Sequence, residues 1–445
     1  MRLMIRFFLW LILLSFSIAV ISETNPYELY ASLSSRIISA ESPSFASEPV
    51  QEFNQAEVLS SLQHRVEKDP DDYEAALLHG LVQFKLGNLQ GAITELEILA
   101  KRAPNFHLVH LMLGDLYQAR LKPVATVGAS AQLMKLSDDK RLSFLRKESD
   151  ARLNAFIDTL PRNRLPRSLL HLDPSIGSAI LVDKSSHRLY LYRWDESRAR
   201  PHLVRNFYVS TGKLEGNKQI SGDLKTPEGV YFITRHIPDA QLPEEYGIGA
   251  FPMNYPNELD RRLGKTGYGI WLHGTERQFY SRPPLDSEGC VVLPNIDLTM
   301  VEEYLQPGRT PIIVAEKIEW LDEQQWSGLH DGIMQAIEKW RKDWESGDVE
   351  RYLANYADDF WSKKENLASW QKRKRRISSS KKYQHVKVSE LSLFAYPKEA
   401  AGGSDMVVAN FEQRYESNNY QSVSRKRLYL TQNSGQWQVL YEGEQ

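Results

Sequence analysis

The chain holds a single cysteine, Cys290, in Ser287-Glu288-Gly289-Cys290-Val291-Val292-Leu293, seventeen residues after His273-Gly274-Thr275. One thiol cannot close an intramolecular disulfide, which leaves it as a reactive nucleophile or as a small buried hydrophobe. A thiol attacks a carbonyl only as thiolate, and an unperturbed cysteine is mostly protonated near neutral pH. A neighbouring imidazole removes that obstacle by taking the proton and pairing with the charged sulfur. His273 ends the apolar run Ile270-Trp271-Leu272, which reads as a strand able to hold the ring rigidly. Gly274 leaves room for a backbone carbonyl to reach the second ring nitrogen. Gly289 permits close backbone approach, so the N–H groups of Gly289 and Cys290 are candidates to face a developing oxyanion. His236, His273 and the acidic residues show no ligand-pair spacing. No metal and no other cofactor is expected.

These residues need a scaffold, and 445 residues suffice for about three domains. Arg2 and Arg6 precede an apolar run from Phe7 to Ile21, the pattern of an export signal (residues 1–22) or an uncleaved membrane tether through residues 7–21. The bulk of the chain is therefore expected to be exported. A single cysteine in an exported chain means that apolar cores, not disulfides, hold the domains together.

Residues 23–165 read as a helical domain. Pro70 and Pro104, Gly80 and Gly114, and Leu77 and Leu111 each stand 34 residues apart. That period and the helix–turn–helix layout resemble tetratricopeptide repeats, with too few repeats for a free-standing solenoid. A protein partner or self-association through this part is an expectation. An ordinary helical domain with a chance period is the alternative. Pro161, Pro166 and Pro174 then mark a linker. From Ala179 the period becomes that of strands, beginning with two joined by a tight polar turn through residues 183–188. Residues 175–316 are mostly β. From Gly332 a helix runs to Glu345, Ser346-Gly347-Asp348 breaks it, and a second helix runs through Tyr352 and Tyr356 before a series of strands closes the chain.

Together, His273-Gly274-Thr275 and Ser287-x-Gly289-Cys290-Val291, with the upstream Ser210-Thr211-Gly212 and Thr226-Pro227-Glu228-Gly229, resemble the L,D-transpeptidase catalytic domain (YkuD family) over residues 178–315. The resemblance implies Cys290 as nucleophile, His273 as general base and Gly274 as the carbonyl that orients it. Thr226, Pro227 and Gly229 match the family's turn into a core strand. The implied partner is the stem peptide of bacterial peptidoglycan. Attack on the L-centre carbonyl of a diamino acid expels D-Ala, and an amine or water resolves the acyl-thioenzyme. Two positions depart from the family pattern: Glu288 stands where many members carry a second histidine, and Val292 where they carry Arg or Asn. Residues 325–445 resemble the nuclear-transport-factor-2-like α+β cone in layout. The three parts in series resemble the cell-shape-determining peptidoglycan L,D-carboxypeptidases of helical bacteria.

Other residues near the motif are candidates for substrate contact: Ser287, Tyr255, Trp271, Arg277 and Arg282, the two arginines for a substrate carboxylate. Aromatics at strand spacing also serve as core, and arginines in loops as solvated surface. The run Lys372-Arg373-Lys374-Arg375-Arg376 reads as a solvated face, or as a contact for anionic wall polymer or membrane. A formal net charge of −2 supplies no global field for nucleic acid, so none is expected as partner. An exported scaffold with an inactive middle domain is the competing class, motivated by Glu288 and Val292.

Overall fold

The computed structural model describes residues 55–121, 127–128, 140–158, 164–280 and 282–445. The N-terminal apolar run lies outside them. Among the described residues no helix is long and apolar enough to cross a membrane. The chain forms two compact units, Met1–Asp150 and Ala151–Gln445.

The first unit is helical: α1 (Gln55–Lys68), α2 (Tyr73–Lys85), α3 (Leu89–Arg102), α4 (His107–Ala119) and the start of α5 (Lys140–Asp158). Asp72 caps α2 by accepting from Ala75 N–H at 2.9 Å, and Asn88 caps α3 through Gly91 N–H at 3.0 Å. Pro70 lies in the turn before α2 rather than in its first turn. Ala92, Ile93, Leu96 and Leu99 of α3 and Leu108, Val109 and Met112 of α4 are buried at helical spacing.

The second unit holds two domains on a shared core. Its middle part is built on a five-stranded sheet ordered β4-β3-β2-β12-β6. Here β2 is Ser178–Asp183, β3 Arg188–Asp195, β4 Arg200–Tyr208, β6 Gly229–Phe232 and β12 Pro311–Ala315. Side chains alternate between its faces. Ala179, Leu181, Tyr190, Tyr192, Val230 and Ile313 pack against Phe394, Tyr396, Val408 and Tyr429 of the C-terminal domain. Ile180, Val182, Leu189, Ile312 and Val314 pack the other way, against Phe251, Leu272, Val291 and Leu293. Both faces are covered, which explains why β2 and β12 read as unbroken apolar runs.

The C-terminal domain carries α8 (Glu323–Glu345), α9 (Val349–Leu353) and α10 (Leu367–Ser378) over a sheet of β14 (Tyr356–Trp361), β15 (Gln384–Ala395), β16 (Met406–Ser417), β17 (Tyr420–Asn433) and β18 (Gln436–Glu444), ordered β14-β18-β17-β16-β15. Two expectations need correction here. The first helix starts at Glu323, nine residues before Gly332, because Asp322 and Gln325 form a capping box. Tyr356 opens strand β14 (Tyr356–Trp361) instead of ending a helix. The basic run lies on α10 and is not one solvated face. Arg373 and Arg375 pair with Glu365 and Glu350. Lys374 turns inward over the Trp344 and Trp370 rings, at 4.7 and 4.5 Å, and burial brings its ammonium down to about 8.

Pro161 lies outside the described residues, but from Arg164 on the proline-punctuated stretch before the sheet is not a free linker. Leu169, Leu170 and Leu172 are fully buried, β1 (Leu165–Pro166) pairs with β13 (Trp320–Leu321), and Leu170 N–H donates to Leu393 O at 3.0 Å. Four leucines in eight residues give this segment enough apolar surface to be held as core. Leu170→Ala is accordingly expected to destabilise the second unit by about 2–5 kcal/mol, measured as a shift in its denaturant midpoint.

Candidate active site

Two short parallel strands build the site. β9 (Trp271–His273) pairs with β11 (Val291–Val292) in the register Val291 to Leu272 and Val292 to His273. Cys290 therefore precedes β11 level with Trp271, and His273 lies two residues further along the neighbouring strand on the same side. β9 is sandwiched, since its other edge pairs with β8 (Gly249–Pro252), itself followed outward by β7 (Ile237–Pro238). The loop before β11 is tied down through β10 (Leu285–Ser287), which runs parallel to β5 (Thr211–Gly212).

His273 is buried, and its Nδ1–H donates to Gly274 O at 2.6 Å. That bond fixes the tautomer and leaves Nε2 as the basic nitrogen. Tyr246 lies edge-on to the imidazole with centroids 5.0 Å apart, and its ring centroid is 4.9 Å from that of Trp271. Burial is the main cause that brings the imidazole down to about 4; the Arg282 guanidinium adds to this and the Gly274 carbonyl opposes it.

The sulfur of Cys290 is partly exposed and donates to Gly269 O at 3.5 Å. Burial pushes the thiol up to about 11. The Trp271 backbone N–H, Arg282 and Lys218 pull the other way, and Glu288 adds to the rise. Both shifts disfavour charge, so the thiol and the imidazole are each neutral at neutral pH.

The structure sorts the remaining candidates. A Cβ at Gly274 would lie 2.2 Å from Asn295 Oδ1, so a larger residue there would have to displace the Asn295 side chain. Gly289 adopts φ +127, and a Cβ there would meet Lys225 O at 2.7 Å. Its N–H is already committed to Ser287 Oγ at 3.1 Å, so the expectation that it faces an oxyanion is not met in this structure; Cys290 N–H remains the candidate. Ser287 is buried and its hydroxyl donates to Cys290 O at 2.6 Å, which makes it a clamp on the turn rather than a substrate contact. Tyr255 is likewise core: it packs edge-on to Tyr231 and donates to Thr266 O at 3.0 Å. Trp271 is half-buried beside Tyr246 and stays at the site. Arg277 forms an exposed ion pair with Asp239, whereas the Arg282 charge acts on both Cys290 and His273. Thr226 is fully buried and accepts from Gly212 N–H at 2.9 Å, and Gly229 adopts φ +155 with Tyr396 Oη 2.5 Å from where a Cβ would stand.

Sequence reasoning missed Asn295, Tyr246 and Lys218. Asn295 accepts from Thr275 N–H at 3.1 Å and so holds the His273-Gly274-Thr275 turn. Leu293-Pro294-Asn295 looks like an ordinary helix start, and α7 (Asn295–Glu302) does begin there, yet the side chain is used elsewhere. Gly247 gave the only usable sign: at φ +70 a Cβ there would also collide with Asn295 Oδ1. Lys218 is buried against Asp223 at 2.6 Å.

Residues 177–314 match the sequence profile of the L,D-transpeptidase catalytic domain. The middle domain is of the L,D-transpeptidase type. Residues 332–443 match the Cds6 C-terminal NTF2-like domain. Among solved structures, Bd1075 of Bdellovibrio bacteriovorus is 27% identical with a TM-score of 0.55, over 63% of this chain and 98% of that one. The helical cell shape determining protein Pgp2 of Campylobacter jejuni is 26% identical with a TM-score of 0.53, over 67% of this chain and all of its own. No curated protein sequence matches the chain. The L,D-transpeptidase match is confined to the middle domain, and the likeness to a cell shape determining protein extends over 67% of the chain.

Proposed function

We propose that the chain cleaves the bond between a diamino acid L-centre and terminal D-Ala in peptidoglycan stem peptides, through an acyl-thioenzyme on Cys290. The observation that carries this reading is the His273 Nδ1–H bond to Gly274 O at 2.6 Å, which leaves Nε2 basic on the strand paired with the one that Cys290 immediately precedes. In the reaction, Nε2 takes the thiol proton as sulfur bonds to the carbonyl carbon. Collapse of the tetrahedral adduct breaks the C–N bond, and His273 returns the proton to the leaving amine. A second nucleophile then displaces sulfur.

Water as that nucleophile gives L,D-carboxypeptidase trimming of tetrapeptide to tripeptide. The likeness to a helical cell shape determining protein supports this outcome. Transfer to an amine is the second reading, supported by the L,D-transpeptidase profile itself. The substrate lies outside the cytoplasmic membrane, which agrees with residues 1–22 acting in export. Incubating the purified chain with disaccharide-tetrapeptide, with and without a D-amino acid, decides among these. Tripeptide alone is expected; exchange product or dimer would establish transfer, and unchanged tetrapeptide would leave only the scaffold reading.

A further inference from the structure

The loop that leads from His273 to Cys290 is pinned at successive points to the end of β4 and to the residues after it. Tyr208, the last residue of β4, donates its hydroxyl to Arg282 O at 2.8 Å. Thr211 N–H donates to Pro284 O at 2.9 Å and Lys213 N–H to Ser287 O at 2.8 Å. Inside the loop, Arg282 Nε and Nη2 are both committed to Asp286. Ser287 Oγ then accepts from Gly289 N–H and donates to Cys290 O, so the placing of the loop is passed on to the turn that carries the sulfur.

The first of these pins sits under a buried cation. Arg152, on the part of α5 that belongs to the second unit, is 1% exposed and lays its guanidinium over the Tyr208 ring, 4.0 Å from the centroid. The same guanidinium stands 5.8 Å from the centroid of Tyr280, which precedes Arg282 by two residues in the loop. Both phenol rings are buried. Taking a guanidinium out of water carries a cost that a methionine covering the same rings would not. What the guanidinium adds is direction: its plane stacks on an aromatic face, and the attraction strengthens where water is excluded. Arg152 therefore holds the ring whose hydroxyl fixes Arg282 O, and it stands near the ring at the start of the same loop. The contacts run from α5 through Tyr208 to the loop, and through Ser287 to Cys290.

We propose that Arg152 is a positioning residue for the reaction: through Tyr208 it holds the loop that sets the Cys290 turn, and so fixes where the sulfur stands. This rests on the acyl-thioenzyme reading and holds for either acceptor. The test compares the full chain, Arg152→Met, Tyr208→Phe and the double variant in D-Ala release from disaccharide-tetrapeptide and in amide hydrogen exchange. A misplaced nucleophile corresponds to roughly a 10- to 100-fold loss in kcat with KM little changed, and each single variant is expected to show it. The double variant should lose little more than the worse single one, because both act through one link. Exchange should quicken in residues 279–290 while the rest of the second unit keeps its protection. Parental kcat in Arg152→Met, single losses that multiply in the double variant, or exchange that quickens evenly across the second unit each overturn the assignment. If Arg152→Met does not fold, Tyr208→Phe carries the test, since it keeps the ring and removes only the hydroxyl; parental kcat and exchange there overturn the proposal. A parent that releases no D-Ala sinks the acyl-thioenzyme reading, and the exchange comparison then decides by itself whether Arg152 holds the loop.

Discussion

Cys290→Ser and His273→Ala are each expected to lower D-Ala release by about 10³-fold or more, in chains that melt like the parent. The two losses have different origins. Serine keeps the shape but presents a hydroxyl that is far harder to deprotonate. Alanine at 273 leaves the thiol in place without its proton acceptor. Because burial holds that thiol at about 11, bulk base must then generate the thiolate. Residual turnover of His273→Ala should therefore climb about tenfold per pH unit through the mildly alkaline range, following the thiolate fraction. Steady-state release of D-Ala between pH 7 and 10 reads both effects. Undiminished turnover in either variant would remove the pair from the mechanism.

The site was legible where its chemistry is carried by residue type, and illegible where it is carried by packing. Cys290, His273 and Gly274 stand out in the chain because a thiol, an imidazole and a residue without Cβ are each hard to replace. The structure brings their elements together through the register of β9 and β11. Ser287, Tyr255 and Arg277 have the same donor chemistry as true contacts. What separates them is direction, two facing into the fold and one towards Asp239, and sequence spacing across a turn does not encode direction. Asn295 shows the converse: it reaches back twenty residues to Thr275, a contact set by tertiary folding alone.

The same division holds for the fold. Strands β2 and β12, covered on both faces, announce themselves as apolar runs. The start of α8 did not, because Gly328 and Gly332 interrupt its pattern while the capping box that begins it lies further upstream. Prolines at 161, 166 and 174 suggested a linker, yet the leucines between them are buried in core shared by the two domains. Composition alone did not reveal that one sheet serves as the floor of both domains.

That shared core makes the second unit sensitive to acid. Burial is the first cause that brings His171, His187 and His273 from 6.5 down to about 4. His330 adds to the effect at His171 and Asp173 opposes it, while Asp183 and Glu316 oppose it at His187. Each ring stays neutral in the fold over a range where the unfolded chain has already bound a proton. The folded values are depressed, so stability is full above pH 6.5, declines as pH falls, and stops declining near pH 4 where both states are charged. Each ring accounts for a loss on the order of 3 kcal/mol across that window. Lys374, down at about 8, completes its own change above this range. The melting temperature of the second unit should hold between pH 8 and 6.5 and then drop steeply. His171→Phe replaces one of the three titrating rings with another that can pack on Trp194, where the centroids now stand 4.8 Å apart. That variant should lose about a third of the slope, whereas a melting temperature that stays level from pH 6.5 to 4 in the parent would show these rings are not buried neutral.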